Sequence, residues 1–336
     1  MPEPHQLDTR RENAAREGED AAKRLAQSHY ENFSVGSFLL PRELRQELYN
    51  IYAFCRLADD FADETAEGVS RSDRLDEWER GLDRIQSEVE FSTLRRTDLR
   101  TRPSDQPLLS ADVYGDPSSL TLAPSHFQLF TALAGTIQRC NLPLEPFKDL
   151  LNAFRQDLVK TSYQTWEELL AYCRLSANPV GRLVLGVSGS QSPPLFALSD
   201  KICTALQLAN HWQDVADDYS KGRIYVPKDI LDRFGVQEES IAERRFDGQF
   251  RAMMVELVDR TEELFTAGCP LLAQAPATLK PQLYLYWGGG MAALAAIKAN
   301  DYDVLNNRSR VRRGDRIRLA AEALVRWVMV KSRPAS

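Results

Sequence analysis

Cysteine and histidine are sparse, and they stand in the wrong places for a metal cage or a disulfide frame. The five cysteines (Cys55, Cys140, Cys173, Cys203 and Cys269) are scattered, odd in number and free of any CxxC spacing. They read as reduced thiols of a cytosolic protein. The four histidines (His5, His29, His126 and His211) form no HExxH pair, which excludes that zinc pattern. Net positive charge is lacking as well. A formal net charge of −6 argues against a general nucleic-acid binder. No apolar run reaches the roughly 20 residues a membrane-spanning helix needs. The longest, Leu283 to Ile297, is expected to be a buried core helix. The first residues, up to about Leu25, are polar and of mixed charge, without the apolar stretch of a secretory signal. Gly288-Gly289-Gly290 sits in an apolar helical run and not after a strand, so no dinucleotide fingerprint is visible. These absences predict a cytoplasmic protein that does not bind nucleic acid.

What is present is helix. Residues 1–25 are expected to be a polar tail or a frayed helix. A helical body of 26–330 follows, interrupted at 92–125 by a surface loop carrying Pro103, Pro107, Gly115, Pro117 and Pro124. Pro41 to Glu64 has one apolar face, with Leu44, Leu48, Ile51, Tyr52 and Phe54. Helical patterns resume at Ser125–Cys140, Pro146–Val159, Trp166–Ser176, Pro179–Ser188 and Ser199–Tyr219. They continue at Phe250–Gly268, Lys280–Asn300 and Gly314–Val330. Only Arg223–Val226 resembles an extended piece. With no strand–helix alternation and no fixed repeat, the pattern predicts one all-α domain.

Two acidic stretches carry the chemistry. The first is Tyr52-Ala-Phe-Cys-Arg56-Leu-Ala-Asp59-Asp60-Phe-Ala-Asp63-Glu64. At about 100° per residue, Tyr52, Arg56, Asp59 and Asp63 share an arc of roughly 60°. The second is Gln207-Leu-Ala-Asn210-His-Trp-Gln213-Asp214-Val-Ala-Asp217-Asp218. There, Gln207, Asn210, Asp214 and Asp218 share an arc of roughly 80°. Carboxylates four residues apart repel one another, more so when desolvated. A hard cation relieves this, and Mg²⁺ prefers carboxylate oxygen together with substrate phosphate. The expected metal ligands are Asp59, Asp63, Asn210, Asp214 and Asp218, with Arg56 beside them for a phosphate oxygen. Asp60, Glu64 and Asp217 fall roughly 100° off the stripes. Either cluster alone reads equally well as a solvated helix end.

The combination Tyr-Ala-x-Cys-Arg-x-x-Asp-Asp-x-x-Asp with Gln-x-x-Asn-x-x-x-Asp-x-x-x-Asp, followed by Gly222-Arg223-Ile224-Tyr225-Val226-Pro227, resembles the squalene and phytoene synthase family. That resemblance implies an isoprenoid synthase helical fold around a central cavity and a diphosphate substrate. Three stretches look like the family's bacterial hydroxysqualene synthase branch, which serves hopanoid biosynthesis. They are His29-Tyr30-Glu31-Asn32-Phe33-Ser34-Val35, Ser176-Ala177-Asn178-Pro179-Val180-Gly181 and Asn210-His211-Trp212-Gln213-Asp214. Tyr30, Asn32 and Gln213 stand where many members carry serine, serine and arginine, which turns the expectation away from condensation.

The resemblance implies Mg²⁺-dependent ionisation of presqualene diphosphate, release of diphosphate and capture of the cation by water. A carbon–oxygen lyase is expected, with Asp59, Asp63, Asp214, Asp218 and Asn178 as catalytic residues and Asn178 orienting the water. Arg56, Tyr52, Gln207, Tyr172, Asn32, Arg223 and Arg308 are the expected substrate contacts. Gln213 is a further candidate for the diphosphate, Tyr302 faces either the cation or the core, and His211 is expected to be structural. Arg310, Arg312, Arg313, Arg316 and Arg318 form either a solvated helix face or a peripheral contact with the inner membrane surface. Coupling to neighbouring enzymes of squalene synthesis is the implied partnership. The alternatives are head-to-head condensation of two prenyl diphosphates and, outside catalysis, an assembly or lipid-binding protein of the same fold.

Overall fold

Apolar residues at helical spacing, broken by proline and glycine rather than by strands, fold as that pattern predicts. The structure is a computed structural model that describes residues 4–28, 39–63, 69–98 and 124–331, apart from 308, 310 and 312. Its helices are α1 (Pro4–Ser28), α2 (Arg42–Asp63), α3 (Arg71–Asp98), α4 (Pro124–Cys140) and α5 (Glu145–Asp157). Next come α6 (Trp166–Ser176), α7 (Asn178–Val187), α8 (Pro193–Gln213), α9 (Val215–Ser220) and α10 (Lys228–Phe234). The last are α11 (Glu238–Ala242), α12 (Gly248–Gly268), α13 (Leu271–Gln274), α14 (Lys280–Ala299) and α15 (Arg313–Lys331). Among the described residues there is no named strand. One isolated parallel bridge joins Ser162 to Ile224, within the predicted extended piece.

Local chemistry sets the ends. Thr165 caps α6 by accepting from the Glu168 amide at 3.2 Å. Asp247 caps α12 by accepting from the Phe250 amide at 2.9 Å. Each satisfies a donor that the first helical turn leaves open. Gly235 closes α10 with φ of 68°, a left-handed position that favours glycine.

The chain forms two compact units. The first comprises residues 1–34 and 42–158, and the second residues 35–41 and 159–336. In the first, Phe54 lies at the centre of an aromatic core. Its ring centroid is 5.7 Å from that of Trp78, 6.1 Å from Phe130 and 5.4 Å from Phe147. Trp78 donates from Nε1 to the Phe54 carbonyl at 3.2 Å, so even the indole's polar atom is satisfied. In the second, α8 packs against α12, α7 and α14. A methyl group at Gly290 would come within 2.2 Å of Phe265 and 2.9 Å of Leu206. The glycine run in α14 thus serves close helix packing there.

Three expectations change. Residues 4–28 form α1, which packs against α4 and α2. Ala22 and Ala26 are buried against Tyr49 and Ala53, so this segment is no free tail. A Cβ at Gly18 would meet the Gln128 carbonyl oxygen at 2.0 Å. Small residues carry the contact, so the sequence shows no apolar stripe. Second, α3 continues to Asp98 and α4 starts at Pro124. The helix breakers begin only at Pro103, and residues 99–123 lie outside the described residues. Third, the helix expected over Ser199–Tyr219 begins earlier, at Pro193, and is interrupted at Asp214.

Candidate active site

The first acidic stretch ends α2. Arg56 reaches two carboxylates there, Asp59 at 3.3 Å and Asp60 at 2.6 Å. Its Nε is buried and has no partner among the described residues. Tyr52, one turn earlier, is half-buried. Burial pushes its phenol up, the Arg56 charge pulls it down, and Asp60 and Asp59 push it up again. Tyr52, Arg56, Asp59 and Asp60 are therefore one electrostatic group. Asp60, placed off the stripe by the wheel, belongs to it because the long Arg56 side chain spans that angle. Asp63 is the last residue of α2, and its side chain lies outside the described residues.

The second stretch straddles the end of α8. Asp214 takes φ of −108° and ψ of 15°, closing α8 and opening α9. The four-residue ladder nevertheless survives. The Asp214 amide donates to the Asn210 carbonyl at 3.0 Å, and the Asp218 amide to the Asp214 carbonyl at 2.7 Å. Asn210 is exposed, while Gln207, Asp214 and Asp218 are half-buried. Desolvation, then the Asp214 charge, pushes the Asp218 carboxyl up to about 6, against the pull of Lys221 and Arg223. Crowded carboxylates of this kind suit a hard cation.

Among the described residues, no three His, Cys, Asp or Glu side chains converge as a closed metal cage. Mg²⁺ does not require one, because it typically takes one or two carboxylates and completes its shell with water and substrate phosphate. The donor set on each acidic stretch therefore fits Mg²⁺ held in an open site.

Asp218 also lines a small cleft with His211, Tyr219, Arg223, Tyr225 and Ile241. Arg223 is tied in through its backbone, its amide donating to the Asp218 carbonyl at 2.9 Å. His211 stacks on Tyr225, with ring centroids 3.7 Å apart and planes 15° from parallel. Tyr172 lies 6.0 Å from Tyr225 and 5.5 Å from Tyr163. His211 is buried, and its Nε2 has no hydrogen-bond partner among the described residues. Burial holds its imidazole down at about 3 and therefore neutral.

Consecutive residues on the last turn of α8 point to different elements. Trp212 is fully buried, and its Nε1 donates to the Thr261 hydroxyl of α12 at 2.8 Å. Gln213 donates to the Ser309 carbonyl at 2.7 Å. Gln213 thus holds the loop after α14 beside Arg308, which itself lies outside the described residues, as does Asn32. Asn178 is buried at the start of α7, where its Oδ1 accepts from the Thr204 hydroxyl at 2.9 Å. Arg251 covers the face of Tyr302 at 5.4 Å. No buried thiol is primed as a nucleophile, since burial pushes Cys55 and Cys173 up to about 12 and Cys203 to about 11. The sequence reading gave no role to Tyr225 or Tyr163. Tyr225 lies within the quoted Gly222–Pro227 motif, which was the available signal.

Comparison with known proteins adds the family. The profile described as Squalene/phytoene synthase matches residues 26–315. The chain belongs to the squalene/phytoene synthase family.

Its relatives within that family differ in name. The chain is 32% identical over 246 residues to a hydroxysqualene synthase from Rhodopseudomonas palustris, covering 73% of this chain and 71% of that protein. It is 28% identical over 311 residues to a 15-cis-phytoene synthase from Synechocystis, covering 88% and 81%. A crystal structure of squalene synthase HpnC from Alicyclobacillus acidocaldarius matches with a TM-score of 0.71 at 41% identity, covering 86% of this chain and 95% of that one. The fold of this family member is the isoprenoid synthase helical fold, and isoprenoid biosynthesis is its setting.

Proposed function

We propose that this squalene/phytoene synthase family member is a hydroxysqualene synthase acting on presqualene diphosphate. The observation that carries the proposal is the Asp214–Asp218 pair, where burial and then the Asp214 charge push Asp218 up to about 6, in a chain 32% identical to a named hydroxysqualene synthase. Asp59, Asp63, Asn210, Asp214 and Asp218 would hold Mg²⁺. Bound there, the metal would offset negative charge on the departing diphosphate. Arg56 turns from its two carboxylates to a phosphate oxygen, and its buried Nε, without a partner among the described residues, gains one. Arg223 and Arg308 add charge from the second stretch and the loop after α14. Tyr52, Gln207 and Asn32 contact the substrate.

The carbon–oxygen bond to diphosphate breaks, and the cyclopropylcarbinyl cation rearranges away from bulk water. Tyr172, in its aromatic cluster, offers a ring face to the cation. Water then forms the new carbon–oxygen bond, its proton leaves, and hydroxysqualene results. Asn178 orients that water through the amide that Thr204 fixes. An enzyme making presqualene diphosphate from two prenyl diphosphates supplies the substrate, and the C30 chemistry suits a peripheral place at the inner membrane face.

The deciding experiment incubates the enzyme with presqualene diphosphate and Mg²⁺, with and without NADPH, and weighs the C30 product. Hydroxysqualene without NADPH supports the reading. A second reading, head-to-head condensation, is favoured by the 28% identity to a phytoene synthase across most of both chains. Consumption of two farnesyl diphosphates without added presqualene diphosphate would establish it. The non-enzymatic reading needs a chain without working aspartates, and both acidic stretches are intact.

A further inference from the structure

The C-terminal helix α15 carries its apolar stripe on the outside. At about 100° per residue, Ile317, Ala321, Leu324 and Val328 share an arc of roughly 60°. Val325 extends it. Ile317 is 69% exposed, Val325 and Val328 are 52% each, and Leu324 is 45%. The opposite face is already occupied. Leu319 lies where a Cβ on Gly288 of α14 would meet it at 2.6 Å, Ala323 is fully buried, and Glu322 accepts from the Tyr284 hydroxyl. Packing against α14 therefore uses one face and leaves a second apolar face to water, the reverse of an ordinary surface helix.

Charge identifies what covers that stripe. Residues 308–333 hold nine arginines and lysines against two acids, in a chain whose net charge is −6. Arg316 and Arg318 flank Ile317 in sequence. The ion pair of Arg318 with Asp315, at 3.5 Å, is solvent-exposed and is easily exchanged for another anion. No helix among the described residues is long and apolar enough to cross a membrane. An exposed apolar stripe bordered by cations fits one surface, a bilayer with anionic headgroups. There the aliphatic side chains enter the acyl boundary and the arginines stay among the headgroup phosphates. A second copy pairing through the same stripe would set the basic α15 of one chain against the basic α15 of the other, like charge against like.

We propose that α15 lies in the plane of an anionic membrane surface and docks the protein there through Ile317, Leu324, Val325 and Val328. This deepens the peripheral placement above and is independent of the reaction, since binding is read without turnover. The test is flotation of the full chain with vesicles of phosphatidylcholine, with and without phosphatidylglycerol. Retention is expected only on the anionic vesicles and should fall as salt rises. Leu324→Ser with Val328→Ser, and separately Arg316→Glu with Arg318→Glu, should each lower vesicle affinity by about tenfold or more. Helicity and turnover of substrate in detergent should stay unchanged. Equal retention on neutral vesicles, or loss in neither variant, overturns the proposal. No retention on any vesicle, as when residues 99–123 cover the stripe, overturns it too. So does a concentration-dependent dimer that the serine pair abolishes, since a second copy would then be the occupant.

Discussion

The two acidic stretches follow the same four-residue spacing, yet their described carboxylates sit in different surroundings. On α2 the protein supplies its own cation, with Arg56 bridging Asp59 and Asp60. At the α8–α9 junction the helix breaks on Asp214, and Asp218 is pushed up to about 6 by burial and by its acidic neighbour. Equal spacing therefore conceals unequal electrostatics. Asp218 holds a proton more tightly than an ordinary carboxyl and would gain from a bound metal.

The largest effect that would break this contrast is on turnover. Asp214→Asn and Asp59→Asn should each lower kcat by about 10²–10³-fold, with helicity by circular dichroism retained. Full activity in both variants would remove the metal assignment. Next is Arg56→Lys, which keeps the charge and loses the fork. KM for presqualene diphosphate should rise by about tenfold, and an unchanged KM would show that Arg56 serves only its carboxylates.

Smaller effects appear in stability. Asp218 has a folded value raised from 3.8 to about 6. Its contribution is fully present below 3.8 and is lost as pH rises through 6. Without Mg²⁺, the melting temperature of the wild type should fall across that window relative to Asp218→Asn, and added Mg²⁺ should restore it. His211 runs the other way. Its value is lowered from 6.5 to about 3, so stability present above 6.5 is lost as pH falls toward 3. His211→Phe should flatten acid unfolding measured by fluorescence. The smallest effect is that of Gln213→Ala, which should cost about 1 kcal/mol in urea melts by freeing the Ser309 carbonyl.

Much of this was legible because helices write their period into the sequence. Apart from the eighth, which starts early and breaks at Asp214, the predicted helices from Ser125 onward began and ended within a residue or two of the observed ones. The stripe Asn210, Asp214, Asp218 kept its ladder. The break at Asp214 was not legible, because the same spacing holds whether the backbone stays helical or loosens for one residue. The aromatic group of Tyr163, Tyr172, His211 and Tyr225 was hidden for another reason. Its members come from separate segments and meet only through tertiary packing. Helix α1 was hidden by smallness, since glycine and alanine at a close helix crossing leave no hydrophobic signature.

The last turn of α8 has a consequence for how this protein tolerates change. Asn210 faces solvent on the acidic stripe, His211 stacks on Tyr225, Trp212 bonds to Thr261 and Gln213 holds Ser309. Three adjacent codons therefore answer to three different neighbours. A saturation library should show an unbroken block of intolerance from 211 to 214. Drift in this protein is then channelled away from one helical turn, and a new specificity would have to arise from the residues that surround it.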